Sequence, residues 1–212
     1  MRFGMNRRLT LVTGGARSGK SSLAERLAMR GARVLFVATA EALDDDMRSR
    51  IAAHQASRPA EWHTLEEPRR LPDAIRARIA DTPCPYDTIV VDCLTMWVSN
   101  LLLRYEYDAD CEARITGAAR ELLDVYAASD AEWIIVTNEV GLGVVPPSSL
   151  GRAYRDALGR VNSLVASRAD KVYLMAAGLA LDLRALGARH INDIGDTPDM
   201  GIFDSGLRRD CE

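Results

Sequence analysis

Cysteine is scarce in this sequence and scattered. The four thiols, at positions 84, 93, 111 and 211, form no CxxC pair and no dense framework, which excludes the usual spacing of a structural zinc site and of a disulfide-stapled scaffold. Reduced thiols in a cytoplasmic protein are the expectation. Basic charge is not in excess either: 27 Lys and Arg against 30 Asp and Glu give a formal net charge of -3. A nucleic-acid partner held through many phosphate contacts needs a basic face, so none is expected. No apolar run approaches the roughly 20 residues of a membrane helix. The short run at 9–12, after the basic opening "MRFGMNRR", is broken by glycines too soon to serve as a secretion signal. Internal repeats and low-complexity linkers are absent as well.

What remains is 48% apolar, enough for a packed core in one domain. Nearly continuous apolar, β-branched runs at 9–12, 34–38, 88–92, 133–137 and 171–175 read as strands covered on both faces. Helical spacing occupies 20–29, 44–56, 72–80, 94–104, 110–128 and 149–168. The alternation predicts an α/β fold, with a largely parallel central sheet flanked by helices on both faces, over residues 1–186. Residues 187–212 have weak periodicity and read as an extended tail. The turn-rich "GLGVVPPSS" directly follows a strand and so becomes a candidate wall of a site at the carboxyl edge of the sheet.

The stretch "LVTGGARSGKSS" carries the strongest chemical signal. Gly14, Gly19, Lys20 and Ser21 satisfy G-x-x-x-x-G-K-[ST] between a strand and a helix, which makes the fold P-loop NTPase-type. Glycines let the backbone curl so that successive N–H groups face phosphate oxygens, and the following helix adds its positive end. Lys20 reaches the outer phosphates and the Ser21 hydroxyl can ligate Mg²⁺. Asp92 closes the buried run "TIVVD", where a P-loop protein keeps an acidic residue facing the metal; it also suits a helix N-cap. Glu139, after "WIIVTN", is the next acidic candidate. The same "TNEVG" lacks the Asn-Lys-x-Asp pattern of a guanine-reading switch GTPase.

Only three histidines occur. His190 lies in the tail and is expected in solvent. His63 alternates with Trp62 and Thr64 and fits a structural place on a strand. His54 shares a helical face with Met47 and Ile51. Spacing alone favours a half-buried core residue, yet a neutral imidazole near pH 7 can also attack phosphorus.

"TGGARSGKSSLAE" resembles the phosphate loop of the bifunctional adenosylcobinamide kinase/adenosylcobinamide-phosphate guanylyltransferase family of cobalamin biosynthesis. The similarity continues through "VLFVATAEALDDDMRSRIAAHQASRPAEWHTLEEP", "IVVDCLTMWVSNLL", "IVTNEVGLGVVP" and "YRDALGRVNSLVASRADKVYLMAAGLALDL". The resemblance implies two transfers at one nucleotide site. The γ-phosphoryl group of ATP or GTP passes to adenosylcobinamide, and the GMP moiety of GTP then passes to adenosylcobinamide phosphate through a covalent GMP-histidine. The matching histidine is His54, which with Lys20 and Asp92 would carry the chemistry. By the same resemblance, nucleotide is bound by Gly14, Gly15, Ala16, Arg17, Ser18, Gly19, Lys20 and Ser21. It is also bound by Ala38, Thr39, Ala40, Gln55, Ala56, Ser57, Arg58, Glu66 and Asp92. Ser21 and Asp92 would hold Mg²⁺, and the chain would assemble as a homotrimer. The sequence departs from the family at "GRVNSLVA" and "GLALDLR", away from the nucleotide motifs. Two other readings stand beside this one: a P-loop kinase for another small metabolite with His54 structural, and a nucleotide-dependent regulatory ATPase without a small-molecule acceptor.

Overall fold

A computed structural model describes residues 8–41, 45, 48, 49, 55, 56, 58–80 and 84–194. In chain order the elements are β1 (Leu9–Gly14), α1 (Lys20–Ala28), β2 (Val34–Ala38), β3 (His63–Glu66), α2 (Leu71–Arg78), β4 (Thr88–Asp92), α3 (Leu94–Tyr105), α4 (Cys111–Ala127), β5 (Glu132–Val136), α5 (Ser149–Arg168), β6 (Lys171–Ala176) and β7 (Leu179–Asp182). A single 3₁₀ turn follows at Ile191–Asp193. The strands form one sheet in the order β3-β2-β4-β5-β1-β6-β7. All neighbours run parallel except β7, which returns antiparallel to β6. Among the described residues no helix is long and apolar enough to cross a membrane.

The near-continuous apolar strands are explained by where alternate residues go. Leu9 and Leu11, Leu35 and Val37, Ile89 and Val91, and Trp133 and Ile135 face one core, with side chains of α2, α3, α4 and α5. Val12, Val34 and Phe36, Val90, Ile134 and Val136 point the other way, onto Ala24 and Ala28 of α1 and onto Trp62. With both faces covered, the period-2 pattern of a half-exposed strand has no reason to exist. Trp97 and Trp133 are fully buried. Their indole N–H groups donate to Arg69 O at 3.0 Å and Ser129 Oγ at 2.8 Å, so neither burial strands a polar atom.

Three expectations change against the structure. β7 is an edge strand that its sequence, "LALD", is too short to announce. Its turn is set by Ala177 and Gly178, both at positive φ (50° and 83°), as a two-residue hairpin requires. His190 is not free in solvent: its ring accepts from Asn192 N and lies 3.2 Å from Ser163 Oγ of α5. Chain past residue 187 thus begins docked on the body, and residues 195–212 of the expected tail lie outside the described residues. His63, by contrast, opens β3 as expected, with Nδ1 3.0 Å from Tyr86 OH. The helix expected over 44–56 falls mostly outside the described residues, its described positions being helical.

Gly14, the last residue of β1, is where the sheet meets the loop that follows. Its φ is 145°, and a Cβ there would lie 2.2 Å from the carbonyl oxygen of Met175 on β6. Only glycine allows β6 to pair so closely beside the turn. Gly14→Ala should therefore destabilise the fold by about 3 kcal/mol or more, because the obstacle is backbone of a paired strand and cannot rotate away. Urea denaturation of the two proteins measures this.

Candidate active site

Five residues link β1 to α1, and their conformation is set by two positive φ values, 57° at Arg17 and 94° at the N-cap Gly19. Left-handed backbone of this kind lets successive amides turn toward one side, ahead of a helix whose first turn has no side-chain cap. The loop is propped from behind: Gly178 N donates to Ser18 O at 3.2 Å, from the β6–β7 turn. Ser18 itself is buried, and its hydroxyl has no hydrogen-bond partner among the described residues. A buried hydroxyl left unpaired costs stability, and within a ring of amides the missing partner matches an oxyanion such as a phosphate oxygen.

Lys20 is one of the chain's two lysines and is only 8% exposed. Its Nζ donates to Gly15 O at 2.5 Å, folding the side chain back across the loop. Burial lowers its pKa below the ordinary lysine value, against the opposing pull of Cys93 and Asp92. The ammonium group is thus short of counter-charge and directed at the cradle.

Asp92 ends β4, level with Ala38 of β2 on one side and Val136 of β5 on the other. Fully buried Thr39 locks this corner. Its amide donates to Asp92 O at 3.2 Å, its hydroxyl donates to Cys93 O at 2.6 Å, and Cys93 N donates to the same hydroxyl at 2.8 Å. Asn100 of α3, itself buried, donates to Thr39 O at 2.9 Å and Pro68 O at 3.0 Å. Burial and the nearby Asp92 push the Cys93 thiol up to about 11. Cys93 therefore sits beside the loop as a neutral group and not as a nucleophile.

A second lock holds the end of β5. Thr137 Oγ1 donates to Asn162 Oδ1 of α5 at 2.7 Å, Asn162 Nδ2 donates to Asn138 O at 3.0 Å, and Asn138 N donates to Thr95 Oγ1 at 2.8 Å. Tyr154 adds a 3.3 Å bond to Thr95 O, and burial pushes its phenol up to about 12. These supporting residues were not singled out from sequence. Their one signal was a polar side chain at an apolar helical position, as with Asn100 and Asn162.

Of the residues expected to bind nucleotide, the structure brings the loop, Lys20, Thr39 and Asp92 to one edge of the sheet. Ser21 is half-buried in the first turn of α1, and Ala38 and Ala40 flank Thr39 at the end of β2. His54 and Ser57 lie outside the described residues. Gln55 and Arg58 tie their neighbourhood to the sheet. Gln55 Nε2 donates to Glu66 Oε1 at 2.6 Å, and the Arg58 guanidinium lies 3.7 Å above the Phe36 ring. Burial lowers the Arg58 pKa, opposed by Asp92, Glu25 and Glu66. Ala56 is exposed.

A phosphate cradle with a buried lysine and an acidic strand end describes many proteins, and the comparisons separate them. Residues 10–183 match the family described as cobinamide kinase / cobinamide phosphate guanyltransferase. The chain belongs to that family. It is 44% identical over 175 residues to the bifunctional adenosylcobalamin biosynthesis protein CobP of Pseudomonas aeruginosa, covering 82% of this chain and 96% of that protein. It is 39% identical over 184 residues to the bifunctional adenosylcobalamin biosynthesis protein CobU of Escherichia coli, covering 83% and 99%. The CobU protein of Salmonella typhimurium gives 40% over 185 residues with the same coverage. Membership makes this chain an enzyme of a family named for a kinase and a guanyltransferase, and the matched span runs from the second residue of β1 to just past β7.

Two substitutions separate support from chemistry. Thr39→Val keeps shape but strands the amide and carbonyl of Cys93, and should cost about 2 kcal/mol in denaturant unfolding. Lys20→Met should do the reverse. Because folding lowers the Lys20 pKa, the charged form is disfavoured in the folded state at neutral pH, and that penalty fades as pH rises toward the ordinary lysine value. Removing the charge should raise the melting temperature of nucleotide-free protein, by about 2–4 °C for each kcal/mol relieved. The same change should lower phosphoryl transfer about 100-fold or more. A melting curve and a transfer assay on one preparation test both halves.

Proposed function

We propose that this enzyme phosphorylates adenosylcobinamide with ATP or GTP and then transfers GMP from GTP to adenosylcobinamide phosphate, giving adenosylcobinamide-GDP. The observation that carries the reading is the cradle itself. A propped ring of amides, the unpaired buried Ser18 hydroxyl and the under-compensated Lys20 ammonium stand together at one strand end, in a member of this family.

In the first reaction the loop amides and Lys20 hold the outer phosphates, so that positioning and charge neutralisation do most of the work. The Ser21 hydroxyl and the Asp92 carboxylate are hard oxygen donors of the kind that hold Mg²⁺ together with phosphate oxygens and water. When bound there, the ion would neutralise charge on the transferring group.

In the second reaction His54 is the nucleophile. A ring nitrogen forms a bond to the α-phosphorus as the bond to the β-phosphate oxygen breaks, and pyrophosphate leaves. An oxygen of the acceptor phosphate then attacks the same phosphorus, the phosphorus–nitrogen bond breaks, and the imidazole is released neutral. Gln55 on Glu66 and Arg58 on Phe36 fasten two of the residues that follow His54 to the end of β3 and the middle of β2. Localisation in the cytoplasm and a homotrimeric assembly complete the proposal.

Incubation with Mg²⁺ and α-³²P-GTP, without acceptor, tests the histidine. Acid-labile, alkali-stable label should remain on denatured protein, be absent from His54→Ala, and decline as pH drops through the imidazole range near ~6.5, because only the neutral ring attacks. An unlabelled protein that still phosphorylates a small acceptor would favour the kinase reading with His54 structural.

A further inference from the structure

The proposed kinase step needs a group to receive the acceptor's hydroxyl proton, and two carboxylates stand at the carboxyl edge near the loop. Asp92 is committed elsewhere. Under the proposed function it is one of the two oxygen donors to Mg²⁺, and it also acts on the neighbouring cations Lys20 and Arg58. Glu139 is placed differently. β5 runs between β4 and β1, with Val136 level with both Asp92 and Val12, so Glu139 stands three residues beyond the sheet, between the loop and the Asp92 corner. Its amide donates to Gly14 O at 3.1 Å, which fastens it directly to the first glycine of the loop.

The side chain is held as well. Gly141 N donates to Glu139 Oε1 at 2.5 Å, and a Cβ at residue 141 would come within 2.9 Å of that oxygen. Glycine at 141 is thus what lets the carboxylate fold against its own loop. This engages Oε1 and leaves Oε2 for another donor. Among the described residues the carboxylate meets no cation. Beyond it the loop turns outward, with Leu142 and Val144 87% and 96% exposed, so Glu139 lies at the border between phosphate loop and open solvent. The Thr137–Asn162–Asn138–Thr95 chain of hydrogen bonds fixes the two residues before it. Such a scaffold is more than the hydrophobic core needs at a strand end.

We infer that Glu139 is a catalytic residue of the kinase step, accepting the proton of the acceptor hydroxyl. The acceptor oxygen forms its bond to the γ-phosphorus while the bond from that phosphorus to the β–γ bridging oxygen breaks. The hydroxyl proton passes to Oε2, and nucleoside diphosphate leaves with the bonding electron pair. The guanylyl transfer to His54 involves no acceptor hydroxyl and makes no call on Glu139. This assignment rests on the proposed kinase reaction.

Glu139→Gln is the informative variant, because its amide oxygen can still accept from Gly141 N while its nitrogen takes no proton. Phosphorylation of adenosylcobinamide from γ-³²P-ATP should fall about 100-fold or more in kcat. Nucleotide affinity, melting temperature and covalent labelling by α-³²P-GTP should stay within about 2-fold or 2 °C of the parent, and Glu139→Asp should recover part of the lost rate. Phosphorylation within about 3-fold of the parent, or joint loss of phosphorylation, nucleotide binding and labelling, would overturn the assignment and make Glu139 a support of the loop. Failure of the unsubstituted enzyme to phosphorylate the acceptor would instead overturn the proposed function beneath it.

Discussion

A lysine ammonium group held nearly out of water at the end of a parallel sheet is the constraint around which this structure is arranged. Lys20 has given up most of its hydration, and it finds in return the Gly15 carbonyl and the pull of Cys93 and Asp92, which do not make up for the burial. That state is unfavourable in the free protein, and under the proposed function it is relieved when a phosphate enters the loop beside it. The loop cannot relax away from the burden. Gly14 is wedged against Met175 of β6, and Ser18 is bonded to the tip of the β6–β7 turn. β7, an exposed edge strand that adds little to the core, thus has a positional use: it closes the turn that braces the loop.

The rest of the candidate site is positioned by polar side chains buried at strand ends. Thr39 with Asn100 ties β2, β4 and α3 together, and Thr137 with Asn162 ties β5 to α5 and, through Asn138, to α3. Each network leaves few loose polar atoms, so it stiffens the corner it occupies and does not weaken it. Hydrophobic burial alone would fix the strands but leave their exits free to wander. Asp92 stands at one of those exits and Glu139 three residues past another, where a shift of an ångström would misplace a carboxylate.

Much of the fold was legible because its strands are long apolar runs between helices of clear period; α5 matches its expected span of 149–168 residue for residue. β7 was illegible because four residues carry no period, and its existence depends on a turn with positive φ at an alanine, which sequence does not advertise. The placing of His190 beside Ser163 is a contact between distant parts of the chain, which leaves no trace in the local pattern of residues. At the candidate site, the meeting of the glycine loop and Asp92 at one edge of the sheet is legible, since each directly ends an apolar run that reads as a strand. Asn100 and Asn162 are not, because a buried asparagine has meaning only once the carbonyl it serves is known.

The strand order also bears on how two different transfers could share one clamp. With β1 and β5 on one side of β4 and β2 and β3 on the other, the edge divides in two around Asp92. Glu139 and the outward-turning loop belong to the β5 side. Gln55 and Arg58, which follow His54, are fastened on the β2–β3 side, to Glu66 and Phe36. Under the proposed function, both transfers use one held triphosphate, with Glu139 on the β5 side of it and Gln55 and Arg58 on the β2–β3 side. Asp92, between the two halves and close to Lys20 and Arg58, is then common to both steps, whereas Glu139 and His54 each serve one.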